Sequence, residues 1–115
     1  MSYKIAVASS DGKFINEHFG RSKQFLIFEV AENNEYRFLE LRHNTPPCNS
    51  GEHGEDQMEK TINLLSDCSI VLVSQIGPGA ERKLQAKGMR SYSVPDFIED
   101  ALTKLIQSES KKAGR

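Results

Sequence analysis

Apolar and polar positions alternate near the start of the chain with the period of two that is typical of a β-sheet. Tyr3–Ser9 follows this alternation and predicts a first strand. Gln24–Val30 is a denser apolar run that is too short for a good helix, and we interpret it as a strand covered on both faces. Tyr36–Arg42 follows after Asn33-Asn34. Because asparagine tolerates the left-handed conformation of tight hairpins, the pattern predicts an antiparallel meander of three strands.

In the rest of the chain the apolar spacing changes to that of amphipathic helices separated by short strands. The predicted elements are a helix over Asp56–Ser66, a strand over Ile70–Val73, a helix from Gly77-Pro78-Gly79 to Gly88, a strand over Arg90–Val94 and a helix that starts at Pro95. The order β-β-β-α-β-α-β-α implies parallel strands after the meander, joined by right-handed crossovers. We therefore predict a three-layer α/β domain with a mixed five-stranded sheet. It is expected to occupy residues 1–107 as a single domain, before a frayed polar tail over residues 108–115.

The longest segment without periodicity is the loop over His43–Glu55, which contains two adjacent prolines. It carries Cys48 and His53, and a thiolate and an imidazole in a glycine-containing loop could reach one metal ion or one cluster iron. A flexible polar loop with one exposed thiol is the alternative interpretation, and the sequence leaves both open. Cys68 lies at the entrance to a buried strand, and we interpret it as a small core residue.

Composition and charge narrow the class of protein. The 115 residues carry a formal net charge of −1, which argues against a dedicated nucleic-acid binder. No apolar run approaches the roughly 20 residues of a membrane span. The N-terminus leads directly into the first strand, so no signal peptide is expected. With only two cysteines, reduced thiols are favoured over a disulfide, and a cytoplasmic location is expected.

The first candidate for chemistry is the segment Glu17-His18-Phe19-Gly20-Arg21 between the first two strands. His18 is suited to binding a metal or a proton near neutral pH. Gly20 allows the backbone to approach a ligand closely, and Arg21 supplies a fixed positive charge on a planar fork of donors. A turn with a surface histidine and a core phenylalanine is the alternative on spacing alone.

The second candidate is Gly77-Pro78-Gly79-Ala80, which leaves a buried strand and enters a helix. Free N–H groups at a helix N-terminus attract anions. The segment follows the C-terminal end of a predicted parallel strand, where open α/β sheets bind ligands. It lacks the Lys-Ser/Thr pair of a phosphate loop. A tight strand–helix connection without a ligand is the alternative interpretation.

Together these residues resemble the dinitrogenase iron–molybdenum cofactor biosynthesis family. The resemblance spans Tyr3 to roughly Leu105 and is carried by Lys4–Ser9, His18-Phe19-Gly20-Arg21, Phe25–Val30 and Ile76–Ala80, followed by Leu84 and Gly88. The family includes small cofactor carriers of nitrogenase assembly and the C-terminal domain of the cofactor-precursor synthase. It implies a ribonuclease-H-like fold, which agrees with the predicted order of elements.

The resemblance also implies binding of an iron–sulfur-type cluster, either the iron–molybdenum cofactor or a precursor. The histidine of the family's His-Phe-Gly motif corresponds to His18, and Cys48 is the second expected metal ligand. The residues expected to contact the anionic cluster are His18, Gly20, Arg21, Cys48, His53, Gly77 and Gly79.

The leading hypothesis is a non-enzymatic carrier that binds the cluster transiently. Its expected partners are cluster donor and acceptor proteins, with no nucleic acid or membrane, and its expected state is a monomer or weak dimer. A metal-dependent nuclease or phosphotransfer enzyme is the first alternative, but it needs clustered carboxylates, and Asp11 lies beyond the first strand in a turn. A small regulatory or interaction domain with a vestigial site is the second.

Overall fold

The computed structural model describes residues 2–44 and 54–114, which form a mixed five-stranded sheet with helices on both faces. The strands are β1 Tyr3–Ala8, β2 Gln24–Val30, β3 Tyr36–His43, β4 Ile70–Val73 and β5 Arg90–Ser93. The helices are α1 Gly54–Leu64, α2 Pro78–Ala86 and α3 Ile98–Gly114. The order of elements along the chain confirms the predicted α/β architecture with its mixed five-stranded sheet.

The sheet order β3-β2-β1-β4-β5 combines the predicted meander with parallel strands. β1 and β3 both pair with β2 in antiparallel orientation, whereas β4 pairs in parallel with β1 and with β5. Asn34 in the β2–β3 hairpin has a φ of 69°, the left-handed conformation that its sequence predicted. Because β1, β3, β4 and β5 run in one direction, their C-terminal ends meet at one side of the sheet, which we call the carboxyl edge.

Two apolar clusters, one on each face of the sheet, make the fold a three-layer structure. On one face, α1 and α2 contribute Ile62 and Leu84 to a cluster with Phe25 of β2. On the other face, α3 contributes Leu102 to a cluster with Ile5 of β1. Alternate residues of one strand therefore enter different clusters, and β2 is buried on both sides as predicted.

α3 begins at Ile98 and not at Pro95, the start that the sequence predicted. The Ile15 N–H donates to the Asp96 carbonyl oxygen at 2.9 Å, and the Ile98 N–H donates to the Lys13 carbonyl oxygen at 2.8 Å. The residues after Pro95 thus pair with the connection that follows β1, and this long-range pairing replaces a first helical turn.

The far end of α3 also differs from the prediction, because the helix continues to Gly114 where a frayed tail was expected from residue 108. Tertiary contacts hold this part of the helix. Glu109 accepts two hydrogen bonds from the Arg90 guanidinium at 2.8 and 2.7 Å, and the Asn34 side-chain amide donates to the Ser110 hydroxyl at 3.2 Å. Among the described residues, none of the helices combines the length and apolar character needed to cross a membrane.

Candidate functional site

A single 3-10 turn over Phe19–Arg21 follows His18, and we call residues 18–21 the histidine turn. The turn lies against the end of β4. The backbone of His18 forms a parallel bridge with Gln75, and the Phe19 N–H donates to the Gln75 carbonyl oxygen at 2.9 Å. The turn is therefore fixed at the carboxyl edge by a residue from much later in the chain.

Phe19 anchors the histidine turn in the core. Its side chain is fully buried, with its ring centroid 6.0 Å from that of Phe25. His18 and Arg21 on either side of it are exposed. Within residues 2–44 and 54–114, neither of these two side chains has a hydrogen-bond or ion-pair partner. The imidazole and the guanidinium are thus both available to a ligand, with half-buried Gly20 between them.

The N-terminus of α2 lies beside the histidine turn, because Gln75 precedes Gly77 by two residues. Gly77 is the N-cap and provides no side-chain cap, and Pro78 stands at the first helical position as predicted. The Glu81 N–H donates to the Gly77 carbonyl oxygen at 3.0 Å. The N–H groups of Gly79 and Ala80, which precede Glu81, therefore have no acceptor within the helix. The two glycine-containing motifs of the sequence meet at one place.

The fold itself does not require glycine at position 77 or 79. Neither residue has a positive φ, and a Cβ atom built on either would have no heavy atom within 4 Å. Gly88 differs, because its φ of 81° after the end of α2 is one that other residues rarely adopt. The small size at positions 77 and 79 keeps the backbone at the helix N-terminus open to solvent.

Strand β3 ends at the same edge. Asn44 follows β3, and its N–H donates to the Lys23 carbonyl oxygen at 2.8 Å, close to the histidine turn. Cys48 and His53 themselves lie outside the described residues, so their predicted roles remain predictions.

Cys68 is a buried core residue, as its position predicted, with a relative exposure of 3%. Burial, together with the neighbouring Asp67 carboxylate, raises the pKa of the Cys68 thiol to about 12. Since metals bind the thiolate, this thiol is a poor ligand at neutral pH.

Asp11 is the acidic residue that follows β1, and its carboxylate is used within the turn. Oδ1 accepts hydrogen bonds from the N–H groups of Lys13 and Phe14 at 2.9 and 3.0 Å and from the Ser9 hydroxyl at 3.1 Å. These bonds, above all that from Lys13, hold the pKa of Asp11 below its ordinary value. Nowhere in the described parts of the chain do three or more His, Cys, Asp or Glu side chains cluster as metal ligands.

The sequence analysis did not single out Gln75 or Asn44. Gln75 acts through its backbone, so its residue type carries no signal. The sequence held one indirect sign of the role of Asn44. Thr61, whose hydroxyl donates to the Asn44 side chain, is a polar residue beside the core residue Ile62 on the buried face of α1.

Comparison with known proteins identifies the family. The family model described as "Dinitrogenase iron-molybdenum cofactor" matches residues 1–108. The FeMo cofactor biosynthesis protein NifB of Frankia alni is 33% identical over 104 residues, which are 88% of this chain and 20% of that protein. Protein NifX of Sinorhizobium fredii is 32% identical over 108 residues, which are 88% of this chain and 66% of that protein. The chain thus spans about a fifth of the length of that NifB and about two thirds of NifX.

Solved structures show the same fold. The crystal structure of PH0822 matches with a TM-score of 0.69 at 21% identity, covering 91% of each chain. The apo form of the orange protein from Desulfovibrio gigas matches with a TM-score of 0.65 at 17% identity, covering 92% of this chain and 88% of that one. The matched residues of the family model include both the histidine turn and the N-terminus of α2. The chain belongs to the dinitrogenase iron–molybdenum cofactor family.

Proposed function

We propose that this protein is a non-enzymatic carrier that binds an iron–sulfur-type cluster, the iron–molybdenum cofactor or a precursor of it, and passes it between donor and acceptor proteins in the cytoplasm. The observation that carries the proposal is the meeting of the exposed histidine turn with the open N-terminus of α2 at the carboxyl edge. The family membership and the similarity to NifB and NifX support the class of cargo.

The site offers one exposed ligand and several groups that counter negative charge. In the proposed complex the His18 imidazole binds an iron or a heterometal of the cluster. The Arg21 guanidinium and the N–H groups at the N-terminus of α2 offset the charge of the anionic cargo. Few protein ligands suit a carrier, because each additional metal–ligand bond would slow release to an acceptor.

Further parts of the proposal rest on the sequence. Cys48 is proposed as a second metal ligand, and His53 and Gly20 as further contacts. The proposed oligomeric state is a monomer or weak dimer.

Replacing His18 with alanine is expected to weaken cluster binding while leaving the fold intact. His18 is exposed, so removing its side chain opens no cavity in the core. Mutation of a residue that only hydrogen-bonds to a metal ligand typically lowers metal affinity about 10–100-fold. Because His18 is the proposed ligand itself, we expect its replacement to lower the affinity of the protein for the cluster by at least about tenfold. The measurement is anaerobic incubation of the apo protein with extracted iron–molybdenum cofactor or a [4Fe–4S] cluster, followed by desalting and metal analysis.

His43→Ala is the matched control for His18→Ala. His43 is also exposed, and it pairs with Gln24 at the end of β3. Phe25 belongs to the cluster under α1 and α2, so the adjacent Gln24 and its partner His43 lie on the opposite face of the sheet. His43→Ala should retain as much metal as the wild type. Equal retention by His18→Ala and the wild type would remove His18 from the ligand set, and no retention by the wild type would contradict the carrier function.

Gly79→Ala is expected to weaken cluster binding without lowering the stability of the fold. The new methyl group meets no protein atom, and replacing a helical glycine with alanine stabilises by up to about 1 kcal/mol, so Tm should stay the same or rise. The same methyl group covers the free N–H groups, so cluster retention should fall. Gly88→Ala is the matched control, and its positive φ predicts a lower Tm with unchanged retention. Unchanged retention in Gly79→Ala would mean that the cluster does not approach this backbone.

A further inference from the structure

A buried polar junction lies next to the histidine turn. The fully buried polar side chains in the described part of the chain are those of Ser9, Ser22 and Thr61, and two of these three residues are bonded to Asn44. The Asn44 Nδ2 donates to the Ser22 carbonyl oxygen at 3.0 Å, and the Thr61 hydroxyl donates to Asn44 Oδ1 at 3.1 Å. Buried polar groups need hydrogen-bond partners, and Asn44 supplies one to each of these two residues.

The junction holds the two residues that directly follow the histidine turn. Ser22 and Lys23 directly follow Arg21, and both of their carbonyl oxygens accept from Asn44, one from its side chain and one from its backbone N–H at 2.8 Å. The Ser22 hydroxyl donates to the Gln24 carbonyl oxygen at 2.6 Å, which fixes the entry into β2. The first half of the turn is held separately, through the bond from Phe19 to Gln75.

Both the nitrogen and the oxygen of the Asn44 side-chain amide are hydrogen-bonded, and this fixes the orientation of the amide. Its oxygen faces the Thr61 hydroxyl on α1 and its nitrogen faces the Ser22 carbonyl, so a flipped amide would bring two acceptors together at Ser22. Thr61 is buried in α1, and α1 is packed on the sheet through Ile62. The orientation of the amide is therefore set by the core and transmitted to the backbone after Arg21.

We propose that Asn44 is a positioning residue of the cluster site, which holds the exposed Arg21 at a fixed place relative to His18 through the carbonyl groups of Ser22 and Lys23. The proposal rests on the proposed carrier function. Asn44 makes no contact with the cargo in this account. It orders the backbone on which a cargo-binding side chain stands, and a preorganised site binds more tightly because less freedom is lost on binding.

The test compares Asn44→Ala with Thr61→Val by amide hydrogen exchange of the apo protein. The Arg21 N–H, which donates to the His18 carbonyl oxygen at 3.0 Å, reports order in the turn, and the Val71 N–H in the fully buried interior strand β4 reports global opening. Asn44→Ala should speed exchange at Arg21 by at least about tenfold more than at Val71. Thr61→Val removes the hydrogen bond to Asn44 Oδ1 but leaves the Nδ2 donor to Ser22 in place, so it should speed exchange at Arg21 relative to Val71 by less than Asn44→Ala does.

A second variant and a second measurement make the result decisive. Asn44→Asp keeps an acceptor for Thr61 and replaces the donor to Ser22 with a carboxylate oxygen, so it should reproduce the Arg21 effect if Asn44→Ala does not fold. Cluster retention of the folded Asn44 variant should fall below that of Thr61→Val. The proposal would be overturned if the Asn44 variant changed the exchange rates of the Arg21 and Val71 amides by the same factor. It would also be overturned if Thr61→Val sped exchange at Arg21, relative to Val71, as much as the Asn44 variant does. Failure of the wild type to retain a cluster would contradict the carrier function and leave the exchange result to decide the positioning role.

Discussion

Phe19→Ala is expected to lower the free energy of unfolding by about 3–5 kcal/mol, because it removes a fully buried aromatic side chain from the core. The phenyl ring packs beside Phe25, in the cluster that α1 and α2 cover. The same change removes the anchor of the histidine turn. Cluster retention should therefore fall together with stability, unlike the result expected for His18→Ala.

Urea titration followed by circular dichroism measures this effect, with Phe38→Ala as the matched control. Phe38 lies on edge strand β3 and is 53% exposed, so its truncation should change stability by far less than that of Phe19. Similar losses in the two variants would show that Phe19 does not carry the packing assigned to it.

Arg42→Met is expected to lower the free energy of unfolding by about 1.5–3 kcal/mol, since it breaks charge-assisted hydrogen bonds that tie β3 to the end of α1. The Arg42 guanidinium makes a bidentate pair with Asp67 at 2.7 and 2.9 Å and donates to the Leu64 carbonyl oxygen at 2.8 Å. Leu64 is the last residue of α1, so this bond also caps the helix. The side chain is only 16% exposed, and methionine preserves much of its apolar contact.

The destabilisation caused by Arg42→Met should depend on pH. The hydrogen bond from Arg42 holds the pKa of Asp67 well below its usual range, with a further contribution from Lys4. A carboxyl group whose pKa is lowered by folding stabilises the fold at pH values above its pKa in the unfolded chain, which is about 3.9. This stabilisation is lost as the pH falls through the lower pKa of the folded state. The stability difference between wild type and Arg42→Met should thus narrow below about pH 4.

Arg37→Met is the matched control for this prediction. Arg37 lies on the same strand, with a 73% exposed side chain and one ion pair, to Glu29 at 3.0 Å. Exposed pairs of this kind contribute about 0–1 kcal/mol. A difference between wild type and Arg42→Met that stays constant down to pH 2 would refute the role of Asp67.

The strands could be predicted because the pattern of apolar and polar residues that indicates a strand lies within the strand itself. β2 agrees with the prediction over Gln24–Val30, and the left-handed Asn34 in the following hairpin has the residue type that such a position favours. The start of α3 could not be predicted in this way. Pro95 is a good first residue for a helix, but Lys13 and Ile15 pair with the following segment, and no local pattern shows that distant pairing.

The candidate site shows the same limit. His18 and Gly77 were identified as separate motifs, and each alone had an ordinary structural explanation. Their meeting depends on the bridge between His18 and Gln75, which exists only because β4 is parallel to β1. Asn44 was not identified for a further reason: an asparagine two residues before a pair of prolines resembles any loop residue until its partner Thr61 is placed in the core.

The dependence of the histidine turn on Gln75 also bears on protein synthesis. Domains begin to fold while the chain leaves the ribosome at about 5–20 residues per second. A nascent chain that has exposed only the meander contains His18 and Arg21 but lacks the carbonyl group that receives the Phe19 N–H. The turn is completed only after β4 has emerged and paired with β1. Under the proposed carrier function, an unfinished chain therefore presents no completed histidine turn to a cluster.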